Sequence, residues 1–104
     1  MKKKAKLKSD VKYLSKLCHK IAKEKGFWDS KRNTGEMLML IVTEVAEAME
    51  AHRIKDREGF KEEIADTFIR LFDLCGGMKI DITKEIEKKM VKNRKRPYKH
   101  GKIC

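Results

Sequence analysis

The chain has 104 residues, of which 41% are charged, and a formal net charge of +11. This length allows at most one domain, which we expect to span residues 1–104. The longest uninterrupted apolar run, MLMLIV, is too short to cross a membrane, and no apolar stretch follows the basic start MKKKAKLK as in a secretory signal. Three cysteines without close spacing argue against a disulfide framework or a thiolate zinc site, so we expect a cytoplasmic protein.

The charge is unevenly distributed along the chain. Residues 1–26 carry ten basic and two acidic groups, and residues 79–104 carry ten basic and three acidic groups. Residues 27–78 carry seven basic and eleven acidic groups. Basic ends around an acidic centre are compatible with a nucleic-acid-binding protein, and equally with a protein that holds a polyanion through a divalent metal.

Apolar residues at helical spacing predict the first two helices. The first runs from about Asp10 to Lys25 and follows a basic N-terminal tail over about residues 1–8. The segment FWDSKRN then forms a loop. The second helix begins near Asn33, which stands three residues before a glutamate as in a capping box, and continues to about Lys55.

Glycines and an aspartate mark the bounds of the last two helices. The third is predicted over about residues 60–75, where Gly76-Gly77 stops it, and the fourth over about residues 81–95, with Asp81 as its N-cap. A C-terminal tail covers about residues 97–104. Because no segment alternates with period two and the connections are short, we predict an all-α, four-helix bundle-like domain.

Two acidic pairs lie on the apolar faces of the second and third helices. Glu44 and Glu47 are about 60° apart on one helix, and Glu63 and Asp66 are about 60° apart on the next. Carboxylates this close repel one another unless a proton or a cation is held between them. Mg²⁺ prefers oxygen ligands, so all four are candidate metal ligands. In the alternative, the acids are solvated and Asp66 pairs with Arg70 one turn on.

The fourth helix carries a lysine and an amide on its apolar stripe. Lys89 and Asn93 are four residues apart and continue the stripe that Ile82 begins; Arg94 and Arg96 follow. These four residues are candidate ligands for phosphate oxygens. In the alternative, Lys89 reaches out to water and the whole run is a solvated basic face.

These motifs together resemble those of a known enzyme family. The segments EVAE and EIAD, followed by KMVKNRKRP, resemble the signature of the MazG-like all-α nucleoside triphosphate pyrophosphohydrolases over roughly residues 19–97. The single-domain dCTP pyrophosphatase-like branch is the most similar. That resemblance implies base-binding roles for His19 and Trp28; otherwise His19 is a surface histidine and Trp28 a loop aromatic that closes the bundle end.

The resemblance implies hydrolysis of a (d)NTP to a (d)NMP and pyrophosphate. The implied biological role is nucleotide-pool house-cleaning, that is, the removal of non-standard or surplus triphosphates. Mg²⁺, for which Mn²⁺ is a possible substitute, would be held by the four acids. Glu47 is the expected catalytic base, and Lys89, Asn93, Arg94 and Arg96 would bind the phosphates. The family implies assembly as a homodimer or homotetramer.

Two other functions compete with this hypothesis. One is a non-enzymatic, basic nucleic-acid-binding bundle, whose binding would weaken steeply with salt and need no divalent metal. The other is a helical module whose acidic cluster recognises a basic segment of a partner protein. Neither accounts for acids on inward faces together with an inward lysine and asparagine.

Overall fold

A computed structural model describes the backbone of residues 2–103 and the side chains of residues 10–103. Met1, Cys104 and the side chains of residues 2–9 lie outside this description, and most of the predicted N-terminal tail falls among them. The described chain is all-helical, as predicted, and none of its helices is long and apolar enough to cross a membrane. Its elements are α1 (Lys2–Glu24), α2 (Thr34–Arg53), α3 (Arg57–Gly77), α4 (Ile82–Arg94) and a 3₁₀ turn (Tyr98–Gly101).

Side-chain caps set where the helices begin. The Asn33 side chain accepts a hydrogen bond from the backbone N–H of Glu36 at 3.0 Å, and the Asp81 side chain accepts one from the backbone N–H of Lys84 at 3.2 Å. Each bond satisfies a backbone donor that the first turn of a helix leaves without a partner. The predicted starts of α2 and α4 are therefore confirmed.

Other helix bounds differ from the prediction. The Asp56 side chain accepts from the backbone N–H of Gly59, so α3 begins at Arg57, within the segment expected to be a connection. The glycine pair expected to stop α3 lies inside its last turn. Lys55, expected within α2, has a left-handed φ of 61° and lies beyond the helix end. The backbone of α1 begins at Lys2, because its lysines, Ala5 and Leu7 favour helix and nothing before Asp10 interrupts it.

The helices pack around α3. This helix lies against both α1 and α2, whereas α4 packs mainly against α1. Met37, Ile41 and Leu74 form a small buried cluster, and Trp28 packs on it from the loop between α1 and α2. Within residues 10–103 no side chain is less than 2% exposed. This core is small even for a chain of this length.

One face of α2 is apolar and exposed. Leu38, Val42, Val45 and Met49 lie within an arc of about 60° on the helix. Their exposed fractions are 45%, 52%, 52% and 57%, respectively. The buried residues of α2, among them Met37, point to another side. Contiguous exposed apolar surface is typical of sites that contact another molecule.

Candidate functional site

Three of the four predicted metal ligands converge between α2 and α3. Glu44, Glu63 and Asp66 each offer a carboxylate oxygen, and these oxygens all lie within 4.8 Å of one another. Glu44 is buried, Glu63 half-buried and Asp66 exposed, so the group opens from the helix interface toward solvent. Glu44 precedes Glu63 by 19 positions in the sequence, and the packing of α2 against α3 brings their side chains together.

An arginine neutralises the most buried of these acids. Arg70 Nε donates a hydrogen bond to Glu44 Oε1 at 2.9 Å. Burial opposes ionisation of Glu44, but the hydrogen bond and charge of Arg70, together with a hydrogen bond to Glu63, lower its pKa overall. Arg70 therefore pairs with Glu44 on the facing helix, and the expected alternative pair of Asp66 with Arg70 is not the one that the structure contains.

Among the described residues, no basic side chain pairs with Glu63. Its Oε2 is buried without a hydrogen-bond partner. The carboxyls of Glu44 and Glu47 beside it, followed by partial burial and the charges of both neighbours, raise the pKa of Glu63 to about 7. Glu47 is thus next to the cluster, although it is exposed and outside the group of three. An ionised carboxylate oxygen only accepts hydrogen bonds or binds cations. The unpartnered oxygen of Glu63 can therefore take up a proton or a cation.

The donor set suits a hard divalent cation. It consists of carboxylate oxygens alone, without the sulfur or imidazole ligands that zinc prefers. Mg²⁺ binds few carboxylates and keeps positions for water and phosphate, so three close acids at a partly open site fit it. Within the group, Glu63 Oε2 is a buried oxygen without a hydrogen-bond partner, and a proton or a cation would satisfy it.

The two candidate base-binding residues meet at a third residue that the sequence did not single out. Asp73 Oδ1 accepts hydrogen bonds from His19 Nδ1 at 2.9 Å and from Trp28 Nε1 at 2.8 Å. Asp73 Oδ2 lies 3.6 Å from a guanidinium nitrogen of Arg32. Asp73 is 8% exposed, and isolated buried charges are costly, so its partners satisfy it. His19 is only half-buried, and Trp28 contacts the core.

The candidate phosphate ligands lie on or just after α4, whereas the acids lie on α2 and α3. Lys89, which was predicted to face inward with Asn93, is exposed, so that part of the prediction is wrong. Arg94 is also exposed, and Asn93 and Arg96 are half-buried. Asn93 Oδ1 is buried without a hydrogen-bond partner. α4 packs mainly against α1, whereas the acids lie between α2 and α3.

Comparison of the chain with protein-family models, with curated proteins and with solved structures found no match. The resemblance of its motifs to the MazG-like enzymes therefore stays a prediction.

Proposed function

We propose that this chain is a magnesium-dependent nucleoside triphosphate pyrophosphohydrolase, which converts a (d)NTP to a (d)NMP and pyrophosphate. The observation that carries the proposal is the convergence of Glu44, Glu63 and Asp66 around a buried carboxylate oxygen without a partner. Crowded carboxylates favour a divalent cation, and a cation on carboxylates is a common means of binding a nucleotide's phosphates.

Glu44, Glu47, Glu63 and Asp66 would hold the Mg²⁺, for which Mn²⁺ is a possible substitute. When bound, the ion supplies charge neutralisation for the phosphates and lowers the pKa of water. Glu47 is exposed next to Glu63, where it accepts a proton from the water that attacks the α-phosphorus. The bond between the α-phosphorus and the oxygen that bridges it to the β-phosphorus breaks, and pyrophosphate leaves.

Lys89, Asn93, Arg94 and Arg96 stabilise the charge that develops on the β- and γ-phosphates. Lys89 is exposed, and the side-chain NH₂ of Asn93 is the group of that residue that can donate to a phosphate oxygen. His19 and Trp28 hold the nucleobase. Removal of surplus or non-standard triphosphates in the cytoplasm is the corresponding biological role.

The active form is a homodimer or homotetramer. The exposed apolar face of α2 (Leu38, Val42, Val45 and Met49) supports this, because a second copy would bury side chains that water now covers. The small buried core of a single chain supports it further, since assembly adds buried apolar area that the monomer lacks.

The test is incubation of the purified protein with a panel of nucleoside triphosphates and Mg²⁺, followed by separation of the products. We expect monophosphate and pyrophosphate, and no reaction when EDTA removes the metal. Asp66→Asn and Glu63→Gln should each reduce the rate about a hundredfold or more, because loss of even a group that only supports a metal ligand costs about 10- to 100-fold.

Glu62→Gln is the matched control, since Glu62 is exposed beside Glu63 in sequence but is not a member of the acid cluster. Its rate should remain within about twofold of the unchanged chain, as for a typical surface substitution. Diphosphate and orthophosphate as products would overturn the assigned bond. No turnover, together with salt-sensitive DNA binding that needs no metal, would favour the nucleic-acid-binding alternative.

A further inference from the structure

Asp73 fixes the hydrogen-bonding state of both its aromatic neighbours. An ionised carboxylate can only accept, so in the contact with Asp73 the proton of the His19 imidazole is on Nδ1. The indole N–H of Trp28 has a single direction, and it points at the same Oδ1 atom. The two rings therefore have a defined orientation set by one oxygen atom, and Nε2 of His19 is left for another partner.

The turn of α3 that carries Asp73 also provides the surface on which the rings rest. Gly76 and Gly77 lie three and four residues after Asp73, and hence on the same side of the helix. A Cβ at Gly76 would lie 2.5 Å from the His19 Cβ, and a Cβ at Gly77 would overlap the Trp28 ring. Both rings thus pack closer to the α3 backbone than any side chain at these positions would allow.

The rings also contact each other and a cation. The His19 and Trp28 rings meet edge to face, with centroids 4.9 Å apart and planes at 83°. The Arg32 guanidinium lies over the Trp28 ring, 5.2 Å from its centroid. Such ring contacts contribute less to stability than the loss of its hydrogen-bond partner costs a buried donor. The hydrogen bonds to Asp73 are therefore the principal constraint on the rings.

The acid cluster and the ring pair lie on one side of α3. Asp66 and Asp73 are seven residues apart, which places them about 20° apart around the helix and about 10 Å apart along it. This separation is comparable with the length of a nucleoside monophosphate, so a nucleotide with its α-phosphate at the acids can reach the rings with its base.

We propose that Asp73 is a positioning residue, which holds the His19 and Trp28 rings in the orientation that binds the nucleobase of the substrate. This inference rests on the proposed function. Asp73 does not touch the reacting phosphate, so its loss affects substrate binding and leaves the chemical step at the acid cluster intact.

The test compares Asp73→Leu, which removes the acceptor at similar volume, with Asp73→Asn, which retains one acceptor oxygen. We expect Asp73→Leu to raise KM about tenfold or more, with kcat per folded molecule within about twofold, since a hydrogen bond to a charged group is lost at each ring. Asp73→Asn should raise KM less than Asp73→Leu. Gly77→Ala keeps every hydrogen-bonding group but displaces the Trp28 ring, and should raise KM as well.

Ser15→Ala is the stability control. Ser15 is buried in the same interface of α1 with α3, and its hydroxyl donates to the Phe72 carbonyl at 3.1 Å rather than to Asp73. Loss of stability alone reduces the active fraction and leaves KM unchanged. A KM for Asp73→Leu and Gly77→Ala equal to that of Ser15→Ala would therefore overturn the inference while the proposed function stands.

Fluorescence gives a second readout that needs no turnover. Trp28 is the single tryptophan of the chain, so its emission reports on this ring alone. In EDTA, a nucleoside, which has no phosphate for the acids to repel, should quench the emission of the unchanged chain and of Ser15→Ala, and should quench Asp73→Leu only at about tenfold higher concentration. Equal quenching of all three would overturn the inference. Absence of both hydrolysis and quenching in the unchanged chain would overturn the proposed function and the inference with it.

Discussion

The protonation of Glu63 makes a quantitative prediction about metal binding. A metal ligand must be ionised, so the proton that Glu63 retains competes with Mg²⁺. With a pKa of about 7, Glu63 carries about 0.9 proton at pH 6, about 0.5 at pH 7 and about 0.1 at pH 8. The apparent dissociation constant for Mg²⁺ should therefore rise about tenfold as the pH falls from 8 to 6.

Stability of the metal-free protein should change with pH in the opposite sense. The pKa of Glu63 is higher in the folded chain than its ordinary value of 4.5, so the folded state binds more protons between these two values. The contribution of Glu63 to stability is then present below about pH 4.5 and is lost as the pH rises through 7. Saturating Mg²⁺ should offset this loss, because it binds the folded state alone.

Calorimetric titration of Mg²⁺ at pH 6, 7 and 8, in two buffers of different ionisation enthalpy, measures both the affinity and the protons released. We expect release of about half a proton per ion at pH 7. Glu63→Gln should bind more weakly and release no proton, whereas Glu62→Gln should behave as the unchanged chain. An affinity that stays constant between pH 6 and 8, or a pH slope that survives in Glu63→Gln, would refute this reasoning.

Three further predictions concern stability and assembly. Arg70→Met should lower the free energy of unfolding in EDTA by about 1–2 kcal/mol, because Glu44 loses its partner while Arg70 is itself 35% exposed; urea unfolding with an unchanged midpoint would contradict this. Val45→Glu should dissociate the oligomer in light-scattering chromatography, whereas Ser30→Glu in the exposed loop should not; identical masses would exclude the α2 face as the interface. Asn33→Ala should cost about 1 kcal/mol through loss of the α2 cap, without altering Mg²⁺ affinity, and an unaffected unfolding free energy would show that this cap is dispensable.

Local signals explain which parts of the fold could be predicted. Asn33 and Asp81 satisfy backbone donors within three residues, so their effect is visible in a short stretch of sequence. Asp56 gives the same signal for α3, but it is the first residue of the segment DREG, which suggested a short connection instead. Gly76-Gly77 suggested a helix end, whereas tertiary contact with His19 and Trp28 explains why small residues stand there.

The candidate site was predictable where its residues follow a helical period. Glu44 and Glu63 lie on faces that already carry apolar residues, and the structure buries the first and half-buries the second. Asp73 has no such pattern, because its partners His19 and Trp28 are 54 and 45 positions away. The one available signal was an acid between Leu71-Phe72 and Leu74-Cys75, since a charge within an apolar run requires partners from elsewhere.

The apolar face of α2 (Leu38, Val42, Val45 and Met49) links folding to abundance. If a second copy covers this face, the melting temperature rises with protein concentration, and newly made chains at low copy number are the ones most exposed to proteases. Expression level would then set the fraction of chains that are folded as well as their total number, so halving the synthesis rate would reduce the folded population by more than half.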